Sequence, residues 1–277
     1  MISFPNAKIN LGLKVVNKRL DGYHDIETIF LPLSWRDALE IIEDTESKGK
    51  NKVNFSSSGL VINGHSNNNL VIKAYSLIDS DFDLPPVKIH LHKCIPMGAG
   101  LGGGSSNAAF TIKLLNDLFT INLDVERMKN YASKLGSDCA FFIEGKPVFA
   151  SGKGDIFENI TINENEKHIL TIWPGIHSNT ADAYSGINPS KPKYHLKDVI
   201  SSGIINWQNH LENDFEKTIF NKYPLLSEIK NSLYEKGAIY SSMSGSGSAV
   251  FGIFDEEPKE LKWPSNYLVN LSKLSFH

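Results

Sequence analysis

The sequence predicts a globular protein of mixed strands and helices. Strand-like alternation dominates the first 95 residues, helix-period segments follow a glycine-rich loop, and no βαβ array surrounds that loop. The length of 277 residues suits two compact domains or one large one, since domains run to about 150 residues. With 41% apolar and 21% charged residues, the composition is that of an ordinary globular protein able to bury a core. No repeat of solenoid or propeller type is present.

The elements follow in order. Ile9, Leu11, Leu13 and Val15 alternate with Lys8, Asn10, Gly12 and Lys14, which predicts a half-buried strand with one polar face. Asp21-Gly22 supplies a hairpin turn before a second strand over 26–33. A third strand is expected at 39–42. Residues 43–69 are rich in Ser, Asn, Gly and Lys and read as loops around a short strand at 53–55. A helix over 70–78 and a strand over 87–95 lead into Pro96-Met97-Gly98-Ala99-Gly100-Leu101-Gly102-Gly103-Gly104-Ser105-Ser106. Ala109, Ile112, Leu115 and Phe119 then recur at helical spacing, so the loop ends at a helix N-terminus. Val125, Met128, Ala132 and Leu135 mark another helix, with Gly136 as its stop. Beyond Gly152 the composition shifts toward Asn, Lys and Pro, which places a domain boundary at 155–165 and divides the chain into 1–160 and 161–277. Residues 185–193 read as an irregular connector and 225–235 as a helix. Strands at 238–242 and 249–254 flank Ser244-Gly245-Ser246-Gly247-Ser248.

Several functional classes drop out early. The 28 Lys+Arg and 31 Asp+Glu leave a net charge of −3, so bulk charge implies no nucleic-acid partner. No apolar stretch reaches the roughly 18 residues of a membrane helix, and the first residues carry no basic leader before an apolar block. Cys94 and Cys139 are too few for a disulfide framework and fit a reducing cytoplasm.

Chemistry concentrates in the glycine loop. Its five glycines permit positive φ and let backbone N–H groups approach a ligand. At a helix start those groups favour an anion, most naturally phosphate, and Ser105 and Ser106 add hydroxyls there. The Walker pattern fails because no Lys precedes the serines. Gly98, Gly100 and Gly103 satisfy G-x-G-x-x-G, but the β-rich sequence before them does not suit a dinucleotide fold. A protein kinase would need H-R-D and D-F-G, and neither follows. An ordinary turn needs one or two glycines, so the count favours phosphate binding.

Residues 96–106 resemble the ATP-binding motif of the GHMP kinases. Residues 244–248 resemble that family's third motif and Pro5-Asn6-Ala7-Lys8-Ile9-Asn10 its first. The resemblance implies a two-domain α+β architecture, with a β-rich N-terminal domain that carries the glycine loop and a C-terminal domain of helices on an antiparallel sheet. ATP and a small-molecule acceptor would meet in the cleft between them. Asp21-Gly22-Tyr23-His24-Asp25-Ile26-Glu27-Thr28 and Gly136-Ser137-Asp138-Cys139-Ala140-Phe141-Phe142 are similar to the members that phosphorylate a cytidine-diphosphate sugar alcohol. Cys139-Ala140 stands where those members carry Val-Pro.

By that resemblance, Asp138 accepts or orients the proton of the attacking hydroxyl, and Lys8 neutralises charge near it and the γ-phosphate. An adjacent ammonium keeps such a carboxylate ionised. Asn10 contacts substrate or sets strand register. Tyr23 and His24 stack on and hydrogen-bond a pyrimidine, Phe30 and Tyr184 complete its pocket, and Thr180 lines the cleft. Asn69 sits toward the adenine or caps the helix it precedes. A divalent cation, Mg²⁺, is expected with ATP, with unknown protein ligands. His90, His92 and Cys94 alternate as metal ligands could, but no second ligand pair accompanies them, so they read as an ordinary strand face.

Overall fold

Three four-stranded sheets organise the protein, whose computed structural model describes residues 1–47, 51–62, 68–259 and 262–276. In chain order the strands are β1 (Ile2–Ser3), β2 (Asn6–Lys18), β3 (His24–Arg36), β4 (Ala38–Glu43), β5 (Val53–Gly59), β6 (Val87–Lys93), β7 (Val148–Ser151), β8 (Ile156–Asn159), β9 (Lys167–Trp173), β10 (Tyr240–Met243), β11 (Val250–Phe254) and β12 (Leu268–Leu274). The α-helices are α1 (Leu70–Phe82), α2 (Gly103–Leu118), α3 (Val125–Ser133), α4 (Phe141–Glu144), α5 (Thr180–Ser185), α6 (Leu196–Ser201), α7 (Trp207–His210), α8 (Phe215–Lys222) and α9 (Pro224–Glu235). Contacts group the chain into two units. One holds Met1–Ala7, Trp35–Ile95 and Gly102–Gly145, and the other holds Lys8–Ser34, Pro96–Leu101 and Lys146–His277.

The first unit contains the sheet β1-β4-β6-β5, with β4 antiparallel to both neighbours and β5 parallel to β6. Val87, Ile89 and Leu91 bury one face of β6, and α1 and α2 pack against each other beside the sheet. The α1 helix forms because Val71, Ala74, Tyr75 and Ile78 lie on one stripe, and Asn69 Oδ1 accepts from Val71 N at 2.9 Å to cap it. β5, α1 and β6 thus form a single β-α-β crossover just ahead of the glycine loop. Its strand runs to Gly59, past the expected 53–55, because Ser56 to Gly59 pair with His90 to Lys93 despite their turn-like composition.

The second unit contains β10-β11-β9-β12 and the sheet β2-β3-β7-β8, its β2 and β3 residues running from Lys8 and to Ser34. In the former sheet every pair is antiparallel. Leu170, Ile172, Val250 and Phe254 from the sheet pack with Phe215, Ile219, Leu226, Ile229 and Leu233 from α8 and α9. Helices on an antiparallel sheet are the arrangement expected of the C-terminal region. Of the expected 185–193 connector, Ser185 closes α5 and residues 186–193 carry no regular element, whereas β1, α4, β7, β8, β9, α5 to α8 and β12 are additions to the expected list.

Other expectations change. The β2 strand is buried on both sides over residues 7–13, with Lys8 and Asn10 each at 3% exposure. Its polar side chains are taken up by neighbouring turns instead of facing water. The α3 helix ends at Ser133, and Gly136 lacks the left-handed φ of a glycine stop. Residues 48–50 and 63–67 of the expected 43–69 loops lie outside the described residues. Among those described, no helix is long and apolar enough to cross a membrane.

Candidate active site

In the second unit three short segments interlock. Lys8 N donates to Leu101 O at 2.9 Å, and Lys8 Nζ donates to Gly100 O at 3.0 Å and to Asn10 Oδ1 at 2.6 Å. Ser244 Oγ donates to the same Gly100 carbonyl at 2.8 Å, while Asn10 N donates to Ser244 Oγ at 3.3 Å. Ala249 N reaches Ala99 O at 3.0 Å. Residues separated by more than 230 positions are thereby held as one structure. Asn10 Nδ2 also donates to Thr28 Oγ1 at 3.0 Å, so this side chain ties β2 to β3.

The loop glycines have separate reasons. Gly98, Gly100 and Gly102 take φ of +63°, +75° and +69°, which a side chain would strain. A methyl group on Gly98 would meet the imidazole of His177, and one on Gly100 the Ser244 carbonyl. Gly103 and Gly104 are helical, so the helix begins inside the motif.

Aromatic rings of the same unit make contacts of their own, and one of them meets the lock. Lys8 Nζ sits 5.0 Å from the centroid of Phe30, which is buried and touches Phe157. His24 stacks on Tyr184 with centroids 4.6 Å apart and planes at 16°, and Tyr184 meets Phe215 edge-on. Tyr23 is exposed and carries Lys153 Nζ 5.0 Å above its ring. Thr180 Oγ1 lies 3.2 Å from Ser246 Oγ, which brings it to the third motif. Pro96, Ala99 and Leu101 are buried, and Met97 is exposed.

The first unit carries Asn69, Asp138 and residues 102–106. The α2 helix starts from Gly102 with no side-chain cap, so its first N–H groups remain the open end of a helix dipole. Ser106 Oγ is buried there and has no hydrogen-bond partner among the described residues. Asp138 is half-buried in the turn between α3 and α4, with Ser137 Oγ at 3.4 Å. Beside it Cys139 is buried and hydrogen-bonded to Ser105. Burial raises the thiol pKa to about 11, the Ser105 bond opposing it and the Asp138 charge adding to it.

A buried knot at the end of β6 had no sequence signal. Asp37 pairs with Lys93, and its oxygens also accept from Cys94 N at 2.7 Å, Ile95 N at 2.8 Å and Asn107 Nδ2 at 2.9 Å. Burial lowers the Lys93 pKa, and the Asp37 charge and hydrogen bond oppose that shift. A Cβ on Gly103 would lie 2.9 Å from Lys93 Nζ, so the helix start rests on this cation. An acid next to an apolar strand looks like any surface residue in sequence. His177 was missed as well, because nothing local marks its approach to Gly98. His90 and His92 behave as a strand face: Ser56 Oγ lies 2.8 Å from His90 Nδ1, and Ser58 Oγ lies 2.9 Å from both His90 Nε2 and His92 Nδ1. Among the described residues no metal-binding cluster forms.

Comparison with known proteins defines the class of protein that carries these glycine segments. The model of the GHMP kinases N terminal domain matches residues 69–146, and that of the GHMP kinases C terminal matches 198–262. The chain belongs to the GHMP kinase family. It is 50% identical over 262 residues to the 4-diphosphocytidyl-2-C-methyl-D-erythritol kinase of Bacteroides fragilis, covering 95% of each chain. The enzyme of the same name from Cytophaga hutchinsonii is 50% identical over 260 residues, 94% of each chain. A crystal structure of 4-(cytidine 5'-diphospho)-2C-methyl-D-erythritol kinase superposes with a TM-score of 0.78 at 30% identity, over 91% of this chain and 90% of that one.

Proposed function

We propose that the chain transfers the γ-phosphoryl group of ATP to the 2-hydroxyl of 4-diphosphocytidyl-2-C-methyl-D-erythritol, in the non-mevalonate route to isoprenoid precursors. The observation that carries this reading is 50% identity, over 95% of the chain, with a protein named as a kinase of that substrate. The family models on either side of residue 160 support a division into 1–160 and 161–277, although Lys8–Ser34 and Pro96–Leu101 group by contact with the later residues. The free thiols of Cys94 and Cys139 suit a cytoplasmic enzyme, and its partners are small molecules rather than nucleic acid or membrane.

Each residue contributes through its own chemistry. The glycine loop and the uncapped start of α2 bind phosphate oxygens by backbone N–H groups. Lys8, held by Gly100 and Asn10, presents a fixed ammonium to the transferring group. Asp138 takes or orients the acceptor hydroxyl proton. Asn69 lies on the adenine side. Tyr23, His24, Phe30, Tyr184 and Thr180 select the cytidyl acceptor, and aromatic stacking on a base is worth about 1–3 kcal/mol. A divalent cation, Mg²⁺, would supply neutralising charge to the phosphates when bound. The buried Ser106 hydroxyl suits such a group.

ADP release by the purified protein tests the reading. Turnover should require the cytidyl acceptor, and ADP formed only with mevalonate, or with no candidate, rejects it. Asp138→Asn should lower kcat by about a hundredfold or more, in the range of a lost general base. Near-normal turnover of that variant rules out the role.

A further inference from the structure

The third glycine turn is gripped from outside by a residue that no motif contains. Asn213 lies just before α8, in a segment pinned to β2: Leu13 N donates to Glu212 O and Asp214 N to Leu13 O, both at 2.9 Å. Its side chain is buried, with 4% of the residue exposed. The amide nitrogen donates to Met243 O and Gly245 O, each at 2.8 Å, and Oδ1 accepts from Phe215 N at 3.0 Å. Both amide hydrogens are thus spent on the two carbonyls that flank Ser244. Glu216, one turn further on, accepts from Met243 N at 2.8 Å and Ser242 Oγ at 2.9 Å, so the strand end is held on its N–H side too.

What is held matters for the chemistry. Ser244 Oγ meets Gly100 O and Asn10 N, and Gly100 O also receives the Lys8 ammonium. Gly245 sits so close that a Cβ there would lie 3.1 Å from Asn10 Oδ1. Only a carboxamide donates twice from one planar nitrogen while accepting at its oxygen. A carboxylate in its place would turn lone pairs toward two carbonyl oxygens.

We propose that Asn213 is a positioning residue for phosphoryl transfer, setting Ser244 and, through it, the Gly100 carbonyl that orients Lys8 and the ATP loop. The proposal rests on the kinase reading above. It adds to that reading a residue on the opposite side of the turn from the motifs.

The test compares wild-type protein with Asn213→Asp, Asn213→Ala and Ser244→Ala, measuring ATP affinity by calorimetry, steady-state constants for both substrates, and thermal unfolding. Loss of two buried hydrogen bonds predicts kcat/KM for ATP and ATP affinity reduced about tenfold or more in both Asn213 variants, with KM for the cytidyl acceptor within about twofold. Asn213→Asp should recover part of the loss as pH falls and its carboxyl protonates, since the protonated group donates one bond, whereas Asn213→Ala should not. Ser244→Ala should reproduce the ATP effect without acting on Asn213 itself, so an Asn213 variant that fails to fold leaves the relay open to measurement. Unchanged ATP affinity in Ser244→Ala or in a folded Asn213 variant overturns the proposal, as does a kcat loss that only tracks the unfolded fraction. Wild-type protein that binds ATP but fails to phosphorylate the cytidyl acceptor rejects the substrate reading alone, and ATP affinity in the variants still decides the role of Asn213. Absence of ATP binding in the wild type overturns both.

Discussion

In the first unit the end of β6 and the start of α2 are tied to one buried carboxylate, whereas in the second the glycine segments are tied to each other through a neutral carbonyl. Asp37 collects an ammonium, two backbone N–H groups and a carboxamide. Gly100 O collects the Lys8 ammonium and the Ser244 hydroxyl. The charged knot is closed on itself, so removing one partner strands a buried charge. The neutral lock loses only modest hydrogen bonds when cut, but the groups it releases are those assigned to phosphate chemistry. The contrast separates a device that secures the fold from one that secures the site.

The largest expected effect breaks the knot. Asp37→Ala should cost about 3–5 kcal/mol of unfolding free energy, because Lys93 is left buried and unpaired. Urea denaturation checks this, and a loss near zero would mean that Lys93 finds another partner or sheds its proton. Gly100→Ala comes next. Its φ of +75° and the opposing Ser244 carbonyl make the substitution strained by about 1–2 kcal/mol from φ alone, with additional displacement of the turn. The expected signature is a fall in ATP affinity exceeding the fall in stability. Ser244→Ala should be milder in stability, about 1 kcal/mol per lost bond, and still weaken ATP binding. If it proves as destabilising as Asp37→Ala, the two regions do not differ as described.

A smaller effect concerns pH. With the Cys139 pKa at about 11, roughly one thiol in a thousand is ionised at pH 8, against about a quarter for an ordinary thiol near 8.5. Iodoacetamide should therefore label native Cys139 slowly at pH 8, with a rate that climbs as pH approaches 11. Rapid labelling at pH 8 contradicts the buried environment.

Much of this was legible in the sequence because it is written locally. Alternation marked β2 and β6, helical spacing marked α2 and α3, and the glycine count marked the loop. The polar face of β2 was misread because alternation reveals which residues share a side, not what covers that side. Lys8 and Asn10 are covered by residues near 100 and 244, contacts that no local pattern encodes. The same holds for Asp37 with Lys93 and for Asn213 with Met243 and Gly245. Between residues 153 and 224, short strands and helices of mixed composition carry too few residues for a period to emerge.

The bare start of α2 has one more consequence. The α1 helix carries its own cap in Asn69, a feature generally worth about 1 kcal/mol, while α2 forgoes one behind Gly102. On the proposed reading the nucleotide's phosphate becomes the missing capping group, a piece of secondary structure supplied from solution. Binding and folding are then linked equilibria, and the melting temperature should climb with ATP concentration as saturation is exceeded, by about 2.7 kcal/mol of stability at a hundredfold excess over Kd. The helix end is, in effect, a gauge of how much nucleotide surrounds the protein.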